Sequence, residues 1–82
     1  MAIKVYGADW CRMTRDTLYH LDRLGIKHEY IDVEKDKAGA AWVRAQNDGK
    51  EKKPTLDIDG TILTEPDDDE LDEVLRGLKL LT

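Results

Sequence analysis

The sequence predicts an α/β domain of order β-α-β-α-β-β-α, a four-stranded mixed sheet with helices on both faces. Three observations carry that expectation. The chain opens on a short run of β-branched and apolar residues, Ile3, Val5 and Tyr6, closed by the breakers Gly7 and Asp9. An amphipathic stretch ending at Gly25 leads after two residues into a second such run, and short links of that kind imply a right-handed parallel unit. Asp59-Gly60 then lies between two further short runs, the signal of a two-residue hairpin.

In chain order, Ala2 to Tyr6 reads as a first strand, apolar enough to be buried on both faces. Residues from about Cys11 to Leu24 read as a helix, because Thr14, Leu18, Leu21 and Gly25, with Thr17 and Leu24, recur at helical spacing. Gly25 supplies its left-handed stop. His28 to Val33 is the second strand. Ala38, Ala41, Trp42 and Ala45 mark the expected inner stripe of a second helix, Asp36 to Gln46, stopped by Asn47 and Gly49. Lys50 to Pro54 is a polar loop. Thr55 to Asp59, with Leu56 and Ile58 on one face, and Thr61 to Thr64 are antiparallel strands. Asp67 and Glu70 form the capping box of a third helix whose apolar face is Leu71, Val74, Leu75 and Leu78.

With 82 residues, no internal repeat and no linker, the chain is expected to form a single domain, 1-82, with one modest core. A net charge of -5 argues against a nucleic acid partner. One cysteine makes neither an internal disulfide nor a four-ligand zinc site, and the spacing of His20 and His28 matches no zinc signature, so no metal is expected. Met1 to Val5 lacks the apolar core of a signal peptide and no run is long enough to span a membrane. The expectation is a cytoplasmic monomer without membrane attachment.

The candidate site is the stretch from Gly7 to Arg15, where Cys11 stands at a strand-to-helix junction. A lone cysteine is ordinarily a small buried hydrophobe. At a helix N-terminus, however, unpaired backbone N–H groups favour the thiolate, and Arg12 and Arg15 add positive charge. Thr14, three residues on, offers a hydroxyl, and Arg15, four residues on, is expected to approach the thiol directly. His20 lies roughly 14 Å further along the same helix and is too distant to act as a base. His28 reads as a surface or edge histidine.

The order of elements, together with Trp10-Cys11, Tyr30 to Glu34, Ala40 to Val43, Asn47-Asp48-Gly49, Pro54-Thr55, Asp59-Gly60 and Leu63-Thr64 with Pro66, resembles the thioredoxin-like superfamily. Within it the chain is most similar to glutaredoxins of the short mycoredoxin type. The resemblance implies a thioredoxin-like (glutaredoxin) fold and a cis Pro54 facing Cys11. It also implies a substrate platform of Lys53, Pro54 and Thr55, with Trp10 and Arg12 at its rim. The family's Cys-x-x-Cys is replaced here by Cys11-Arg12-Met13-Thr14, which leaves a monothiol mechanism on mixed disulfides between proteins and a low-molecular-weight thiol. No tightly bound cofactor is implied; glutathione or another low-molecular-weight thiol is the expected co-substrate, and a disulfide-bearing protein the partner. Against plain glutathione stand Gly7-Ala8-Asp9, which lacks a family lysine, and Leu63-Thr64-Glu65-Pro66, which replaces a Gly-Gly pair.

Lys50, Lys52 and Lys53 with Arg12 and Arg15 would form a basic rim, while residues 65 to 73 carry acids and no bases. Two alternatives accompany the oxidoreductase reading. One is a catalytically weak binding or adaptor module that kept the groove. The other is a dimer bridging an iron–sulfur cluster, disfavoured by the bulk of Arg12 and Met13.

Overall fold

The computed structural model describes residues 2–81. The elements follow the expected order: β1 (Ile3–Gly7), α1 (Arg12–Arg23), β2 (Glu29–Asp32), α2 (Lys37–Gln46), β3 (Thr55–Ile58), β4 (Thr61–Thr64) and α3 (Asp68–Gly77). The sheet runs β2-β1-β3-β4. β1 and β2 are parallel, whereas β3 pairs antiparallel with both β1 and β4.

The central position of β1 explains its sequence. Ile3 and Val5 face one layer, where they join Leu21 of α1, Leu56 and Ile58 of β3, Leu63 of β4, and Leu71 and Leu75 of α3. Tyr6 faces the other, with Val33, Ala40 and Val43. Its ring stacks on Trp42 at 4.3 Å between centroids. Thus α1 and α3 cover one face and α2 the other, and a strand facing both must be apolar on both sides.

The termini follow local chemistry. Gly25 is left-handed (φ 69°), and the N–H groups of Gly25 and Ile26 donate to the carbonyls of Asp22 and Leu21, which closes α1 in a Schellman turn. Asp36 and Asp67 each cap a helix by accepting from the N–H three residues on, Gly39 and Glu70. Asp59 and Gly60 both take positive φ, as a two-residue hairpin requires.

The inner face of α2 differs from expectation. Gly39, Ala40 and Val43 are buried, whereas Ala38, Ala41 and Ala45 are exposed. Alanine is as comfortable outside a helix as inside it, so four alanines carry little phase information. Val43 sets the phase, and Gly39 follows because a Cβ there would come within 2.9 Å of Ile31. β1 is also displaced by one residue to include Gly7, while β2 is shorter than expected.

Gly7 is required by a close approach. A Cβ at this position would lie 2.4 Å from Cγ2 and 2.5 Å from Oγ1 of buried Thr14. Gly7→Ala is therefore expected to destabilise the fold by about 1–3 kcal/mol through overpacking. Denaturant unfolding checks this, and the double variant Gly7→Ala/Thr14→Ala should lose less than the two single variants combined, since the clash is shared.

Candidate active site

Cys11 is the N-cap of α1, in extended conformation (φ −81°, ψ 117°). Its N–H donates to Ala8 O at 3.0 Å, and its carbonyl accepts from Arg15 N at 3.1 Å, which closes the first helical turn. An N-cap side chain normally presents an oxygen to the second and third N–H groups of the helix. Here those groups belong to Met13 and Thr14, and the side chain presented is a sulfur. The thiol is partly exposed, and Sγ lies 3.8 Å from Lys53 O, to which it donates.

Burial alone pushes the Cys11 thiol up. That effect is outweighed by the Thr14 hydroxyl, then the N–H groups of Thr14 and Met13, then the Lys53 charge, and the thiol is held below its ordinary value. The arrangement therefore favours a nucleophilic thiolate at the protein surface.

Thr14 sits where expected and has a second task. It is fully buried, and its hydroxyl also accepts from Ala8 N at 3.4 Å. Arg15 is placed differently from expectation: its guanidinium donates to Asp9 O at 3.1 Å. The four-residue spacing rule applies between positions inside a helix, whereas Cys11 is a cap with non-helical dihedrals. Arg12 is exposed and lies 3.9 Å from Asp16 along the helix.

The facing loop carries a cis Lys53–Pro54 peptide. Pro54 is buried, and its carbonyl accepts from Glu65 N at 2.8 Å, which fastens the loop to the chain leaving β4. Glu65 adopts a left-handed conformation there (φ 47°), a geometry that glycine takes more readily. Thr55 follows the cis-proline, and its side chain turns away from solvent. It is fully buried, and its hydroxyl donates to Lys52 O at 2.8 Å and accepts from Asn47 Nδ2 at 3.2 Å. Since Leu56 points into the α1–α3 core, Thr55 must point into the opposite layer, where it meets the end of α2.

Asn47 is the residue that sequence reasoning undervalued, as it was read only as a helix stop. Its amide donates to Val43 O and Thr55 Oγ1, and its carbonyl accepts from Thr64 Oγ1 at 2.8 Å. One side chain thus ties α2, β3 and β4 together behind the cis-proline.

Around the thiol the surface is divided. Trp10 is 64% exposed; its indole N–H donates to Glu34 Oε1, and Lys53 Nζ lies over its ring at 5.4 Å from the centroid. Tyr30 donates to Asp9 Oδ1 at 2.7 Å. Burial, then that bond, then neighbouring acidic charge with the Cys11 thiolate push the phenol strongly up. Tyr30, Asp9 and Glu34 thus form a second flank, which the sequence reading did not single out because the partners lie more than twenty residues apart. The basic rim is accordingly narrower than expected, with Lys53 its central member.

The histidines lie elsewhere. His20 bridges α1 to α3 through Asp72 at 2.7 Å and Asp68 at 3.6 Å. His28 is at the sheet edge, as expected, but mostly buried, its Nδ1 hydrogen-bonded with Ile26 O at 2.9 Å. A groove of about 590 Å³ between α1 and the start of α3 is lined by Met13, Asp16 and His20 with Pro66 to Asp69. Among the described residues no cluster of metal-ligating side chains occurs, and no helix is long and apolar enough to cross a membrane.

A thiol capping a helix opposite a cis-proline, on a sheet of this order, defines a thioredoxin-like protein. The solved structures agree. A crystal structure of a thioredoxin-like protein is similar at a TM-score of 0.82 and 26% identity, covering 90% of this chain and 94% of the other. A glutaredoxin from Archaeoglobus fulgidus follows at 0.81 and 25%, covering 94% and 89%. The chain belongs to the glutaredoxin family, whose model matches residues 3–63. Mycoredoxin 1 of Corynebacterium glutamicum is 38% identical over 65 residues, 78% of this chain and 80% of that protein. The chain is thus a redox protein of the thiol–disulfide oxidoreductase type with a single cysteine.

Three outcomes follow from this geometry. Thr14→Val removes the hydroxyl while keeping the volume, so the pH midpoint of Cys11 alkylation should rise towards that of an ordinary thiol. The lowered native value also makes the thiolate's contribution to stability full above the unfolded thiol's pKa and lost as pH falls through the folded one, so wild type should gain stability over Cys11→Ser as pH rises through that window. Asn47→Ala should cost about 2–3 kcal/mol in chemical denaturation, since three hydrogen bonds of roughly 1 kcal/mol each are lost.

Proposed function

We propose that this glutaredoxin-family protein is a monothiol thiol–disulfide oxidoreductase acting on mixed disulfides between proteins and a low-molecular-weight thiol. The observation that carries the reading is the single thiol at the N-cap of α1, facing the cis-proline loop, with a hydroxyl at Thr14 in place of a second thiol.

In the first step the Cys11 thiolate attacks the small-thiol sulfur of the mixed disulfide. A bond forms between Sγ and that sulfur while the original disulfide breaks, and the protein thiolate departs and takes a proton from solvent. In the second step a free small thiol, as its thiolate, attacks the same small-thiol sulfur. Cys11 leaves as thiolate, and a symmetric small disulfide is released. The sulfur of the substrate protein is thereby reduced from the disulfide to the thiol level, the sulfur of the incoming small thiol is oxidised to the disulfide level, and the transferred small-thiol sulfur stays at the disulfide level throughout. Thr14 and the N–H groups of Met13 and Thr14 hold the leaving Cys11 thiolate, and Lys53 adds charge. Lys53 and Pro54 present the loop against which the attacked disulfide lies. Trp10 and Arg12 line the approach, while Arg15 acts through its hold on Asp9 O.

The small thiol is glutathione or another compound of that class. Leu63-Thr64-Glu65-Pro66 beside Pro54 favours a thiol other than glutathione, because this segment replaces the Gly-Gly pair. The lowered thiol of Cys11 supports the enzyme over an adaptor module, which has no need of a thiolate.

Mixing the purified protein with oxidised low-molecular-weight thiols and weighing the product tests the reading. One adduct of the mass of the small thiol is expected on Cys11, with release on adding the reduced thiol. The absence of an adduct with all of them overturns it. Thr14→Cys should add a dithiol disulfide reductase activity lacking in the native chain.

A further inference from the structure

Among the described residues, Lys53 is the one that meets Cys11 through its backbone and its charge together. Its carbonyl accepts from the thiol, while its side chain folds back over Trp10 and is only 15% exposed. The Trp10 ring is itself fixed, because its N–H is held by Glu34. On the far side, Nζ is 3.4 Å from Glu51, which also receives Arg44 at 3.1 Å. Two cations share one carboxylate, so a positive charge is left over. Glu34, held by the same Trp10, and Asp9, held by Tyr30, supply negative charge of their own. The cationic group of the site thus belongs to the cis-proline loop, and the anionic ones to the turn before α1 and the turn after β2. Arg12 and Arg15 are turned to Asp16 and Asp9 O.

We propose that Lys53, whose carbonyl meets the thiol and whose ammonium is held on the neighbouring Trp10 ring, is a specificity-determining residue that selects disulfides bearing an anionic group beside the attacked sulfur. The proposal rests on the oxidoreductase reading for its substrate class and adds the orientation of that substrate. A cation on an aromatic face keeps its charge, and loses less freedom in binding than a lysine moving in solvent. Near Sγ it attracts a carboxylate that arrives with the disulfide, whereas a cationic disulfide meets like charge there.

The test compares reagents that differ in charge. Iodoacetate and iodoacetamide both react with the thiolate and both release iodide, so their rate ratio at one pH cancels the thiolate fraction. Lys53→Gln should lower the ratio of iodoacetate to iodoacetamide by about threefold or more, as expected for removal of one nearby charge, with Lys53→Arg retaining it. Trp10→Leu should lower the ratio and Trp10→Phe keep it. The same variants are then given 3,3′-dithiodipropionate, a dianion, and cystamine, a dication. Preference for the dianion in adduct formation on Cys11 should fall in step with the alkylation ratio.

An alkylation ratio unchanged in Lys53→Gln, or lost equally in Lys53→Arg, overturns the role of Lys53 even if both disulfides form adducts. A ratio kept in Trp10→Leu overturns the role of the stack. A ratio that responds to Lys53 while neither disulfide forms an adduct overturns disulfide selection together with the oxidoreductase reading.

Discussion

The site depends on one close contact, that of Thr14 against Gly7. The start of α1 can settle on the end of β1 only because Gly7 has no side chain for Thr14 to meet. Once there, the Thr14 hydroxyl takes the N–H of Ala8, and the turn that follows delivers Cys11 to the cap of the helix. The same hydroxyl is then the foremost of the groups that favour the thiolate. Packing, chain reversal and reactivity therefore pass through one side chain. A residue of similar size without the hydroxyl would keep the first and weaken the third.

The opposite wall is built by other means. Lys53 and Pro54 must be held with the loop carbonyl towards Cys11, and no apolar packing could do this for a segment as polar as Lys50 to Lys53. Hydrogen bonds do it instead. Asn47 reaches from the end of α2 to Thr55 and Thr64, and Glu65 returns from β4 to the Pro54 carbonyl. These bonds lie largely out of solvent, where an unpaired partner is costly, so they fix one geometry rather than merely add stability.

Much of this was legible in the sequence, for reasons that also mark its limits. β1 was visible because a strand covered on both faces must be apolar throughout, and the Asp59-Gly60 turn because two successive positive φ angles demand such residues. Cys11 was visible because its position at a helix start has direct chemical meaning. The phase of α2 was not, since its alanines fit either face and the decision fell to Val43. Arg15 was misplaced because spacing within a helix does not describe the residue that caps it. Thr55 and Asn47 show a third limit: whether a polar side chain touches substrate or supports the wall depends on partners far along the chain.

The exchange of a resolving thiol for Thr14 has a consequence beyond the missing disulfide. A second thiol at that position would share the work of holding the thiolate with that of attacking the adduct, and its own ionisation would compete with that of Cys11. A hydroxyl does not ionise in this range and does not attack sulfur, so it stabilises the departing thiolate in every step without ending the adduct. In the proposed monothiol cycle, the lifetime of a Cys11 adduct is handed to the outside thiol and to whatever governs its approach. The residues around the site that could act on it are Lys53 on Trp10 and the pair of Asp9 and Tyr30. In that proposed cycle, selection among thiols falls to these flanks, since no internal step remains to make it.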